Sequence, residues 1–243
     1  MAYRSLDSSQ IIATLELLTG RINERFPGSG LSAVSKELLA LGRFCSKEAE
    51  ELALPNWPIR AGAIVLIALV IGLSGFLLLR PWTVGTPVAF DSVGDYLQAL
   101  EAAINEVIFI CIGVYFLGSI EGRLKRRRAL AAIHQLRSIA HVVDMHQLTK
   151  DPHELVAETT SVDDPPAPRR PLTQRDLGRY LDFCSEMLSL TNKVAALFVQ
   201  QSNDPQVLAA VDEVSGLTVG LSSKIWQKLT ILDAELLATR ARG

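Results

Sequence analysis

Charge is absent from two long stretches of this chain, and that absence places it before any motif does. Residues 61–79, AGAIVLIALVIGLSGFLLL, hold no Asp, Glu, Lys or Arg, and no Lys or Arg occurs from 81 to 122. A helix on the surface of a soluble domain keeps polar residues along one side, so the first stretch does not read as one. Cysteine is scarce as well. Cys45, Cys111 and Cys184 are the only three, with no CxxC or Cys/His finger spacing; a disulfide framework and a zinc finger are not expected. The net charge of −2 supplies no global basic field for nucleic acid. There is no Walker loop, no GxGxxG, GxSxG or HExxH, and no readable Ser/Cys/His triad, so the motifs do not point to an enzyme. Period-two alternation is missing throughout, which argues against sheet.

What is present are two apolar runs and a cationic block. A hydrocarbon core of about 30 Å takes roughly 20 helical residues to cross, and residues 61–79, bounded by Arg60 and Arg80, meet that length. The run starts some sixty residues in without an early cationic region, unlike a cleaved signal peptide. The second run, 107–120 (VIFICIGVYFLGSI), is lengthened upstream by Ala102, Ala103 and Ile104. Its span must begin near Tyr96 or Gln98, with Glu101, Asn105 and Glu106 towards the far headgroups. Arg43, Lys47 and Arg60 precede the first run, and Arg123, Lys125, Arg126, Arg127 and Arg128 follow the second. The positive-inside rule then puts both termini in the cytoplasm of a bacterial-type inner membrane and the connecting loop outside. Trp57 and Trp82 fall at the expected interfaces of the first span, where amphipathic rings settle.

The remainder reads as amphipathic helix. Ile11, Ile12, Leu15, Leu18 and Ile22 line one side of a helix over 8–26, which Pro27-Gly28-Ser29-Gly30 breaks. Val34, Leu38, Leu41 and Cys45 do the same over 31–52, and Pro55 ends that helix. No proline occurs from 98 to 148. The second span therefore continues into the cytoplasm as one helix of roughly 75 Å at 1.5 Å per residue. Ile133, Leu136, Ala140 and Val143 form a packing seam on that extension. VDDPPAPRRP, within 151–171, cannot stay helical. Thr173 caps a helix to about 201 with Leu177, Leu181, Cys184, Leu188 and Leu197 inward. Asp204-Pro205 starts the last helix, which runs to about 238 with Val207, Val211, Val214, Leu221, Ile225, Leu229 and Leu232 on its apolar side.

The expected fold is an all-α membrane protein, a two-span transmembrane hairpin with a cytoplasmic helical bundle. The expected organisation is an N-terminal helical hairpin (1–56), a transmembrane hairpin (57–122, with spans about 60–80 and 98–120 and outer loop 81–97), an extension of the second span (123–150), a linker (151–172) and a C-terminal helical hairpin (173–243). No internal repeat is apparent.

Four groups of residues are candidates for function. Gln98, Glu101 and Asn105 share one side of the second span, with Glu106 flanking. In an oligomer they would form an acidic vestibule that attracts cations; otherwise they are wetted side chains at headgroup depth. Ala68, Gly72 and Gly75 make a small-residue face on the first span, suited to close helix packing. Arg123, Lys125, Arg126, Arg127 and Arg128 fix topology and suit anionic headgroups. On the extension, Arg128, His134, Arg137, His141 and Asp144 form a polar flank beside the seam. His134 and His141 stand about 10 Å apart along the axis, too far to chelate one ion, so no metal site and no cofactor are expected.

The spacing of Arg128 and His134, with five residues between, resembles the Arg…His motif of HEPN-type ribonucleases, all-helical proteins that pair two such motifs across a dimer. The resemblance covers only these few residues. Ala129 stands where that family usually has a polar residue, and topology already accounts for Arg128.

The leading expectation is an inner-membrane protein, not an enzyme, whose cytoplasmic bundle self-associates or docks a protein partner in an anchoring, scaffolding or signalling role. Its partners would be the lipid bilayer, further copies of itself and a cytoplasmic protein, with no nucleic acid. The alternatives are an oligomeric pore or membrane-permeabilising effector lined by the second span, and a membrane-tethered HEPN-like nuclease or metal-dependent enzyme on the polar flank.

Overall fold

The computed structural model describes residues 5–84, 93–148 and 173–242. The whole of the expected linker (151–172) and the middle of the expected outer loop (85–92) lie outside the described residues. Among those described the chain is entirely helical, with no strand. In chain order the helices are α1 (Ser8–Arg25), α2 (Gly30–Ala53), α3 (Trp57–Val84), α4 (Val93–Leu148), α5 (Gln174–Gln201) and α6 (Pro205–Arg242). Helix α3 extends beyond the expected span at both ends and α4 begins at Val93, so the helices take up part of the stretch read as outer loop.

The helix starts follow local chemistry. Asp7 caps α1 by accepting from the backbone N–H groups of Ser9 (2.9 Å) and Gln10 (3.4 Å). Thr173 Oγ1 accepts from the N–H of Asp176 (3.1 Å) and donates to the Asp176 carboxylate (2.7 Å). Asp204 accepts from the N–H groups of Gln206 and Val207, and Pro205 at the first helical position has no N–H to leave unpaired. Between α1 and α2 the chain reverses at Gly28, whose φ of 67° is a left-handed conformation that glycine adopts without penalty.

Two compact units result: residues 1–53 with 128–243, and residues 54–127. In the first, α5 packs on α6, α1 packs on α2, and both α1 and α2 reach α5. Its core contains the sides marked by three- and four-residue spacing. Ile11, Leu15, Leu18 and Ile22 are buried with Val34, Leu38 and Cys45, and so are Leu177, Leu181, Cys184, Leu188 and Leu197. On α4, Ile133, Leu136, Ala140 and Val143 are buried, joined by Ala129, Ala132 and Ile139. Leu136, Leu181, Leu188 and Ile225 are essentially without solvent exposure, and burying each such side chain contributes roughly 1.5–3 kcal/mol. Two buried threonines in the core, Thr191 and Thr218, satisfy their hydroxyls by donating to carbonyls one turn back, Met187 and Val214.

The carboxyl end of α4 is held by side chains of other helices in this unit. Tyr180 Oη donates to the His146 carbonyl (3.4 Å) and Lys228 Nζ to the Gln147 carbonyl (3.1 Å). Both supply partners to carbonyls that the helix itself leaves open, and the lysine charge suits that end of the helix dipole.

Candidate functional site

The second unit contains α3 and the first part of α4, and its burial is inverted. Ile64, Val65, Leu69 and Leu73 on α3 and Val107, Phe109, Ile112 and Tyr115 on α4 are all exposed, Phe109 to 73% and Tyr115 to 79%. Soluble monomers rarely expose apolar surface on this scale. One helical stretch, Leu100–Leu148, is long and apolar enough to cross a membrane, and a shorter apolar stretch, Arg60–Phe76, lies in α3.

The base of this unit is built on Glu121. Its Oε1 accepts the backbone N–H of Asn56 (3.0 Å), its Oε2 accepts from Arg60 Nε (2.7 Å), and Lys125 Nζ stands 3.1 Å from Oε1. Lys125 also donates to the Leu54 carbonyl at 2.7 Å. One carboxylate thus joins the beginning of α3 to α4. The Arg60 guanidinium, the Asn56 N–H and then Lys125 hold its pKa down to about 2 against partial desolvation. Sequence reading missed Glu121. The available signal was an acid placed immediately before a cationic run, opposite an arginine at the end of the other apolar run.

The five cations of the collar separate. Lys125 is engaged with Leu54 and Glu121 as described. Arg123 lies over the Phe116 ring at 5.7 Å, a cation–π distance. Arg126 is partly covered, while Arg127 and Arg128 are exposed.

Of the vestibule residues, Gln98, Glu101 and Asn105 are exposed and Glu106 is half-buried. Asn105 and Glu106 border a crevice between α3 and α4 of about 510 Å³, otherwise lined by apolar side chains that include Leu66, Ile67, Val70, Phe109, Gly113 and Leu117. The structure therefore separates the pair 105–106, which borders the crevice, from Gln98 and Glu101, which do not. Ala68 and Gly72 are exposed, and a Cβ at Gly72 or Gly75 would meet no atom within 4 Å. The small-residue face has no close neighbour within the described chain.

On the α4 extension, His134, Arg137 and His141 are exposed and Asp144 is half-buried. Arg137 pairs with Glu213 at 3.0 Å and Asp144 accepts from the Gln147 side-chain amide. The Arg137–Glu213 pair links the polar flank to α6, the Asp144–Gln147 contact stays within α4, and neither brings the histidines together. Among the described residues no three His, Cys, Asp or Glu side chains converge to hold a metal ion. Compared with protein-family models, curated proteins and solved structures, the chain shows no match.

Proposed function

We propose that this chain is a two-pass protein of a bacterial-type inner membrane, with spans about 60–80 and 98–120 and both termini cytoplasmic. Its cytoplasmic helical bundle self-associates or docks a protein partner, in an anchoring, scaffolding or signalling role. The observation that carries this reading is the contrast in burial along the chain. Residues 1–53 and 128–243 enclose an apolar core, whereas the apolar side chains of α3 and the first part of α4 face outward. Water disfavours such a surface and hydrocarbon does not. The arginine at 60 and the collar from 123 mark one end of both apolar stretches as the cytoplasmic end.

Two measurements test it. Alkaline carbonate should leave the chain in the membrane pellet, and a thiol reagent that does not cross membranes should fail to label cysteines introduced at Ser46 or Ser202 in intact cells. Extraction into the supernatant, or labelling from outside, refutes the topology. Native mass spectrometry in detergent tests association; a strict monomer with no co-purifying protein refutes that part.

The exposed Gln98, Glu101 and Asn105 on an otherwise apolar helix favour a second reading, an oligomeric pore with α4 lining the path. Planar-bilayer recording decides it. Absence of conductance, or conductance unchanged by Glu101→Gln with Glu106→Gln, refutes it.

A further inference from the structure

The depth of Glu106 distinguishes it from the other acidic residues of α4. Glu121 marks the base of the apolar stretch, and at 1.5 Å per residue Glu101 lies about 30 Å from it along the helix axis while Glu106 lies only about 22 Å away. In a hydrocarbon core of about 30 Å, Glu101 reaches the far headgroups and Glu106 stops about 8 Å short of them. An ionised carboxylate at that depth needs a partner. Among the described residues neither Glu106 nor Asn105 has a side-chain partner in the chain. A second copy has little to offer, because no Lys, Arg or His occurs from 61 to 79 or from 81 to 122. Arg80, between those stretches, sits by register about 30 Å from Arg60 and thus level with Glu101. Among the described side chains no cation stands level with Glu106, so a counter-charge there would come from outside them.

The crevice beside Glu106 describes the rest of the ligand. From Ala102 to Leu117 it follows α4 for about 22 Å, longer than the depth of one leaflet, about 15 Å, and so long enough for one acyl chain. Its volume of about 510 Å³ falls in the range of small-molecule sites. Apart from Asn105 and Glu106, one turn in from Ala102 at its outer end, its lining is apolar. An occupant that matches both parts has a hydrocarbon chain and a cationic, hydrogen-bond-donating head. We propose that the crevice between α3 and α4 binds a bilayer phospholipid with a primary ammonium headgroup, its ammonium on Glu106 and Asn105 and one acyl chain along Phe109, Gly113 and Leu117. A quaternary ammonium head has no N–H to donate and binds more weakly. This proposal rests on the membrane reading above.

The test uses the full chain in phosphatidylcholine bilayers containing a minor fraction of phosphatidylethanolamine, with carbonate extraction and native mass spectrometry run on the same preparation. Wild type should stay in the membrane and retain one phosphatidylethanolamine per chain, enriched about tenfold over the bulk lipid, the factor that one charge-assisted hydrogen bond supplies. Glu106→Gln should bring the retained lipid to the bulk ratio, Asn105→Ala should lower the enrichment in part, and Glu101→Gln should leave it unchanged. Extraction by carbonate overturns the membrane reading and this proposal together. Membrane retention with bulk-like lipid in wild type, or equal enrichment in Glu106→Gln, overturns this proposal alone. So does a dimer that excludes lipid from the crevice, or loss of enrichment in Arg80→Gln as complete as in Glu106→Gln.

Discussion

Removing the charge of Glu121 should loosen the base of the apolar hairpin by an amount that can be bounded. The carboxyl is held at about 2, against an ordinary 4.5. At about 1.4 kcal/mol per unit the ceiling is roughly 3 kcal/mol. Solvent lowers that figure, because the Arg60 side chain is 52% exposed and exposed ion pairs measure about 0.2–1 kcal/mol. Glu121→Gln keeps an oxygen for the Asn56 N–H and loses the charge, so it should cost about 1–2 kcal/mol near neutral pH; Glu121→Ala removes the acceptor as well and should cost about 1 kcal/mol more. The pH dependence has a definite sign. A carboxyl whose pKa is lower in the folded state stabilises fully above about pH 4.5, and the contribution is lost as pH falls from there towards 2. Denaturant unfolding in mild detergent, followed by Trp57 fluorescence with Trp82 and Trp226 replaced by Phe, reads the gap between wild type and Glu121→Gln. That gap should be widest at pH 6 and shrink by pH 3. A double-mutant cycle with Arg60→Ala should give a coupling of about 0.5–1 kcal/mol. A gap independent of pH, or strict additivity with Arg60→Ala, refutes the assignment of Glu121 as the joining residue.

Other outcomes follow from the bundle. Leu136→Ala removes a side chain with no solvent exposure and should cost about 2–5 kcal/mol in thermal or denaturant unfolding. Gly30→Ala places a Cβ 2.5 Å from His146 Cε1, so the ring must swing, at about 1–2 kcal/mol; Gly216→Ala meets open space inside a helix and should stabilise by up to about 1 kcal/mol, so melting temperatures of the two variants should move in opposite directions. Burial pushes the thiols of Cys45 and Cys184 up to about 12. At pH 8 their reaction with iodoacetamide should be at least about a hundredfold slower in the folded protein than after denaturation, since the thiolate is the nucleophile.

The sides of the helices were legible in the sequence because a single local rule writes them. Residues three and four apart share a side, and nearly every position singled out on that basis is buried, with Ile12, Leu41 and Leu229 packed at the margin of the core. The caps at Thr173 and Asp204 were legible for the same reason, since donor and acceptor lie within one turn. Contacts across long sequence separations were not. Glu121 meets Asn56 and Arg60 more than sixty residues away, and Tyr180 and Lys228 close the end of α4 from two other helices. Nothing in the local pattern pairs these residues, and Lys125, read as one of five headgroup cations, turns instead to Leu54 and Glu121. Of the vestibule residues, the sequence placed Asn105 and Glu106 with Gln98 and Glu101 because all four are polar near one helix end. Separating them required the position of α3, whose Leu66, Ile67 and Val70 close the crevice beside only two of them.

Helix α4 changes its surroundings without a break in its backbone hydrogen bonding. Up to Phe116 most of its large apolar side chains are exposed, whereas from Ala129 the seam of Ala132, Ile133, Leu136, Ile139, Ala140 and Val143 is buried and Val142, Met145 and Leu148 stay exposed beside it. The residues between carry the transition: Glu121 and Lys125 bind the start of α3, Arg123 covers an aromatic ring, and Arg127 and Arg128 face outward. No single periodic pattern describes the whole helix, because one stretch presents apolar groups all round and the other along a seam. The same division explains why the two kinds of substitution should have different signatures. Leu136→Ala opens a cavity against protein and should lower stability in any detergent. Glu106→Gln replaces a carboxyl group bordering the crevice between α3 and α4 and, on the proposed membrane reading, should change what the hairpin retains from the bilayer while leaving the bundle's unfolding transition in place.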